Sequence, residues 1–157
     1  MTNFILRLRG DERGATIIEL ALAVPFFAAL LIGIIDLSRA YSMKLKLEQS
    51  AQRAIEKIEQ QHTVQPSYTA YATEAATAAT AAGYTGSTAT SDYWLECNGV
   101  RQSASTTSCS NSTDTYARYV TISVSNTYTP FFPSRAWPGA NAQGNLALSG
   151  PAGIRVQ

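Results

Sequence analysis

Histidine is almost missing: the 157 residues hold one, His62, together with only two cysteines, Cys97 and Cys109. Two cysteines twelve positions apart and one remote histidine match no zinc spacing, so no metal site is expected. A basic excess is missing too, with 12 Lys and Arg against 11 Asp and Glu. That balance argues against a nucleic-acid binder, which carries a basic face. No glycine-rich phosphate loop follows a strand pattern. Nor is there a catalytic set. Glu19 and Asp36 lie 17 residues apart on one predicted helix, ~25 Å along its axis and too far for an acid/base pair. The expectation is a protein that is not an enzyme, with no cofactor and no small-molecule substrate.

Charge itself is scarce in the second half. After Gln61 the Asp, Glu, Lys and Arg residues are Glu74, Asp92, Glu96 and Asp114 against Arg101, Arg118, Arg135 and Arg155. Thr, Ser, Ala, Gly and Tyr fill the rest, which predicts a polar but weakly charged surface. A chain of this length holds one modest domain and at most one further element.

What is present is a long apolar run. From Ala15 to Ile35 the only ionisable group is Glu19. As a helix at ~1.5 Å per residue, the run spans ~31 Å, about one bilayer core. Pro25 does not defeat this reading, since membrane helices tolerate proline. Beyond Ile35 the helix need not stop. Met43, Leu47, Ala51, Ala54 and Ile58 recur at helical spacing, with Lys46, Glu48, Arg53, Glu56, Lys57 and Glu59 between them. The spacing predicts an amphipathic continuation over 37–62, packed on its own domain or forming a seam against a partner helix. One helix from Ala15 to Gln61 would be ~70 Å long.

Charge does not orient the segment. Arg7, Arg9 and Arg13 precede it, and Arg39, Lys44 and Lys46 follow it. The junction Arg13-Gly14-Ala15-Thr16-Ile17-Ile18-Glu19 is more informative. A basic leader ends in Gly14, the apolar run starts at once, and Glu19 is the fifth residue after the glycine. A bare carboxylate inside such a run is costly in lipid and needs a reason.

This junction resembles the class III signal of type IV prepilins and pseudopilins. More closely, "RGATIIELALAVPFFAALLIGIIDLSRAY" is similar to the TadE-type minor pseudopilins of tight-adherence (Flp) pilus systems. Shared features are Gly-x(4)-Glu, an apolar run with an internal proline like Pro25, and the step Gly33-Ile34-Ile35-Asp36. "YVTISVSNTYTPFFP" and "GNLALSGPAGIRVQ" are similar to the extended segments that end these proteins. The likeness does not extend to 68–115, and Ala15 stands where many major pilins begin with Phe.

The resemblance implies a leader at 1–14, cut between Gly14 and Ala15 by a prepilin peptidase at the cytoplasmic face. It implies a transmembrane helix at 15–36, which stays in the mature subunit, and a periplasmic or extracellular α+β domain at 63–157. Glu19 would pair with the new N-terminal amine of a neighbouring subunit. The implied partners are the inner membrane, the peptidase, other pilins or pseudopilins and the pilus assembly platform. The implied setting is a single pass through the bacterial inner membrane, cytoplasmic N-terminus first, with incorporation into an extracellular pilus as a further step. Two other readings stand beside it. Ser38-Arg39-Ala40 offers a small-x-small site, whose use would release a soluble binding domain starting at Tyr41. A plain membrane-anchored scaffold domain would need neither Gly14 nor Glu19.

For the outer domain the pattern predicts an α+β arrangement. Gln65-Pro66 is a helix break, and "SYTAYATEAATAATAAG" reads as an Ala-rich helix closed by Gly83. "YVTISVS" alternates, placing Val120, Ile122 and Val124 on one face of a strand. "DYWLEC", "NLALSG" and "GIRVQ" are shorter strand candidates, the last two counted as a separate pair. Pro130, Pro133 and Pro138 break the chain before that pair. Cys97 and Cys109 flank "NGVRQSASTTS", a polar loop. Outside the cytoplasm they are expected to form a disulfide, the alternative being two unpaired thiols. Tyr93, Trp94, Phe131, Phe132 and Trp137 are expected in core and hairpin packing rather than in a binding patch.

Overall fold

The structure, a computed structural model, describes residues 12–61, 67–103, 108–111, 113–132, 135 and 137–157, with the backbone alone at 12–15. Most of the expected leader therefore lies outside the described residues, as do His62, the expected break at Gln65-Pro66, and Pro133. Among the described residues the elements are two helices and four strands: α1 (Glu12–Gln61), α2 (Thr69–Ala81), β1 (Thr88–Cys97), β2 (Val100–Arg101), β3 (Tyr116–Tyr128) and β4 (Leu146–Arg155). The architecture is α+β, as expected.

Helix α1 runs unbroken through Pro25 and serves two units, one ending at Arg39 and the other spanning Ala40–Gln157. The described residues of the first unit are all helical. Its apolar side chains are bare: Ile17, Leu22 and Phe26 are each about two-thirds exposed or more (68%, 73% and 68%), and nothing lies within 4 Å of a Cβ added at Gly33. Asp36 is the exception, being buried.

In the second unit the apolar face of α1 is the floor of the core. Met43, Leu47, Ala51, Ala54, Ile55 and Ile58 are buried together with Val120, Ile122 and Val124 of β3. The face read from the spacing is thus the face that packs, with Ile55 added to it. Helix α2 buries Ala72, Ala75 and Ala79, a small-residue face, while Thr73, Thr77 and Thr80 turn their hydroxyls back to carbonyls one turn earlier. It ends as predicted. Gly83 takes φ +98°, Gly83 N–H donates to Thr80 O and Tyr84 N–H to Ala79 O, a Schellman closure.

The four strands form one antiparallel sheet in the order β2-β1-β3-β4. Two sequence expectations change here. The polar segment after Cys97 is not all loop: Asn98 and Gly99, both at positive φ (51° and 78°), form a two-residue turn that returns Val100–Arg101 against Glu96–Cys97. The two candidate strands "NLALSG" and "GIRVQ" are one strand, β4, paired with β3 from Tyr128↔Leu146 to Tyr119↔Arg155. Pro151 does not interrupt it, because β4 is an edge strand where a missing N–H need not cost a ladder bond. Gly150 does not interrupt it either. A Cβ there would stand 2.2 Å from the Glu48 amide nitrogen and 2.6 Å from the Leu47 carbonyl carbon, so β4 lies directly on the backbone of α1.

Candidate functional site

The candidate site is the start of α1. The described part of the helix runs from Glu12, and the Gly14–Ala15 peptide lies within it. Glycine inside a helix weakens it by ~1 kcal/mol relative to alanine, so Gly14 makes local unwinding at this peptide easier. Glu19 lies one turn further along, exposed and with no partner among the described residues. Between Ala15 and Ile35, Glu19 is therefore the one carboxylate on an otherwise apolar stretch of helix. A cation brought beside that charge in low dielectric would compensate it. Glu19 and Asp36 are not brought together, since both sit on the same helix.

The described helix passes the length and composition test for crossing a bilayer, and none of its most apolar window is buried. Charged residues reappear from Asp36 and Arg39 onward.

The outer unit holds several polar clusters. On the sheet face away from the helices, Arg101 makes two bonds to the Asp92 carboxylate (3.0 and 2.9 Å) and lies 4.5 Å over the Trp94 ring. Trp94 stacks on its cross-strand partner Tyr119 at 5.4 Å and donates its indole N–H to Glu96. The expectation of core packing is corrected for Trp94, which caps the open sheet face. Tyr93 keeps it, packing on the core and meeting Tyr68 at 5.4 Å. It is also corrected for Phe131 and Phe132, both 61% exposed.

Cys97 and Cys109 stand at disulfide distance, Cα to Cα 5.8 Å. Beside them is an open cavity of about 230 Å³ lined by Leu95, Asp114, Tyr116 and Arg118 among others. Its polar groups are engaged: Asp114 accepts from Asn98 and the Asn111 amide, and Arg118 donates to the Tyr93 hydroxyl at 2.9 Å. No group of three or more metal-ligating side chains occurs among the described residues. Sequence reasoning missed the outer-face row and the exposed Phe pair. The one available signal was Phe131-Phe132 set among Pro, Ser and Thr, where neither helical nor strand periodicity gives the rings a face to bury.

Residues 14–55 match the model of a family described as TadE-like protein. The match covers the junction, the apolar run and most of the buried face of α1, and stops before α2 and the sheet. No curated protein and no solved structure matches the chain.

Proposed function

On the premise that the TadE-like match marks a protein associated with the tight-adherence pilus, we propose that the chain is a minor pseudopilin, a structural subunit for assembling that pilus. A prepilin peptidase cuts after Gly14 at the cytoplasmic face and leaves a mature chain that starts at Ala15. The apolar helix over 15–36 spans the inner membrane once, and the sheet domain stands on the periplasmic side, where Cys97 and Cys109 can be oxidised. Glu19 then meets the amine of a neighbouring pilin, so two charges that are each expensive in lipid compensate one another. The subunit works with other pilins and the assembly platform and carries out no reaction of its own.

The observation that carries this reading is the lone exposed carboxylate of Glu19, five residues after Gly14, on a membrane-length helix whose apolar face is bare. A plain anchor gives that carboxylate no partner. The test is Gly14→Leu in the native host. Under this reading the variant keeps its leader and runs as the longer form. A variant processed like the natural chain would remove the peptidase from the account.

A further inference from the structure

The Asn98-Gly99 turn that joins β1 to β2 carries a reactivity that the assembly of a pilus does not use. An asparagine followed by glycine can lose its side-chain amide without an enzyme. The Gly99 nitrogen attacks Cγ of Asn98, the Cγ–Nδ2 bond breaks, and ammonia leaves with the Gly99 amide proton. The cyclic imide then takes up one water, which opens it at either carbonyl to an aspartyl or an isoaspartyl residue. Glycine is the successor that hinders the attack least, since it sets no Cβ beside the attacking nitrogen. Here both residues are exposed, and nothing stands within 4 Å of a Cβ added at Gly99.

Against that reactivity the fold sets a clamp. The Asn98 amide donates to Thr115 O at 2.8 Å, which extends the β1–β3 ladder past Cys97↔Tyr116. The side chain is held at both ends: Oδ1 accepts from the Thr115 amide at 3.0 Å, and Nδ2 donates to Asp114 Oδ1 at 2.9 Å. Asp114 is itself seated. Its Oδ2 accepts from the Asn111 amide at 3.3 Å, and its own amide donates to Asn111 O at 3.2 Å. Thr115 immediately precedes β3, so the Asn98 side chain ties the end of β1 to the start of β3.

We infer that Asn98 is a deamidation site held in check by this clamp, with Asp114 as the residue that controls it. For the ring to close, the side-chain amide must turn from Asp114 and Thr115 toward Gly99. Each bond that holds it therefore lowers the population that reacts. The bond to Asp114 counts most, because its acceptor is charged. Once formed, the product cannot restore the clamp. A carboxylate at position 98 has no N–H to donate, and it would face the Asp114 carboxylate. Two like charges so placed disfavour one another, so the reaction releases the end of β1 from the start of β3. The inference uses contacts within the outer unit alone and does not depend on the pilus reading.

The test incubates the full chain in detergent at mildly alkaline pH. Deamidation at position 98 is followed over days by peptide mapping, and isoaspartate by enzymatic methylation. Asp114→Ala is expected to react roughly tenfold faster than the natural chain, the factor for losing one hydrogen bond to a charged group. Asp114→Asn keeps an acceptor oxygen and is expected between the two. Asn126→Ala, which loosens the α2–β1 turn instead, is expected to react at the natural rate. Equal rates in the natural chain and Asp114→Ala would overturn the clamp. An equal acceleration in Asn126→Ala would overturn it too, by showing that the reaction follows overall stability. No deamidation at position 98 in any of these chains would overturn the site itself.

Discussion

Gly150 of β4 rests on the amide of Glu48 in α1, so closely that a methyl group on the glycine would lie 2.2 Å from that nitrogen. Both atoms involved belong to backbone, and neither a strand nor a helix axis gives way as a side-chain tip does. Gly150→Ala is therefore expected to destabilise the outer unit by ~1–3 kcal/mol or more, the range for overpacking. Thermal unfolding of the detergent-solubilised chain followed by circular dichroism checks this. Gly33→Ala, where nothing stands within 4 Å, should leave the same transition unmoved.

Asn126 makes a second prediction. Its side-chain amide faces Tyr84 O at 3.0 Å, Thr85 O at 3.1 Å and Ser87 Oγ at 2.7 Å, tying the α2–β1 turn to β3. Removing the donor in Asn126→Ala leaves the part-buried Tyr84 carbonyl without it, a loss of ~1–3 kcal/mol. Asn126→Asp should cost more, because a carboxylate cannot donate and would face two carbonyl oxygens. Equal melting temperatures for the two variants would contradict this account of the turn.

The cysteine pair gives a third. Joined, Cys97 and Cys109 close a loop with a separation of 12, for which the chain-entropy model gives roughly 3 kcal/mol. Protein from the native membrane should resist thiol alkylation until reduced, and reduction should lower its melting temperature. Cys97→Ser, Cys109→Ser should melt with the reduced form. Free thiols in freshly isolated protein would show that the pair is not oxidised.

Glu19 gives a fourth. Glu19→Val keeps Gly14 and the apolar run, so processing should continue while co-purification with partner pilins falls. Retained co-purification would deprive the carboxylate of its assigned role.

Much of the fold was legible because it depends on periodicity. Val120, Ile122 and Val124 announce a buried strand face, and all three are fully buried. Met43, Leu47, Ala51, Ala54 and Ile58 announce a helix face in the same way. Gly83 announced the end of α2. Long-range placement was less visible. Gly150-Pro151 reads locally as a break, and only the edge position of β4 and the approach of α1 make it part of a strand. Trp94 and Phe131 look alike as large aromatics. One is held on the open sheet face by Arg101 and Tyr119, and the other is left outward by its loop, which no local pattern distinguishes. For the candidate site, the sequence supplied Gly14, Ala15 and Glu19, and the structure adds that the Gly14–Ala15 peptide is helical and that Glu19 is exposed.

The most direct measurement is the N-terminus of the protein recovered from its native membrane, read by intact mass and N-terminal sequencing. The account predicts a chain starting at Ala15, with residues 1–14 removed and 143 of the 157 residues retained. A native chain still continuous across Arg13, Gly14 and Ala15 would contradict it, since the amine that Glu19 is assigned to meet would never form.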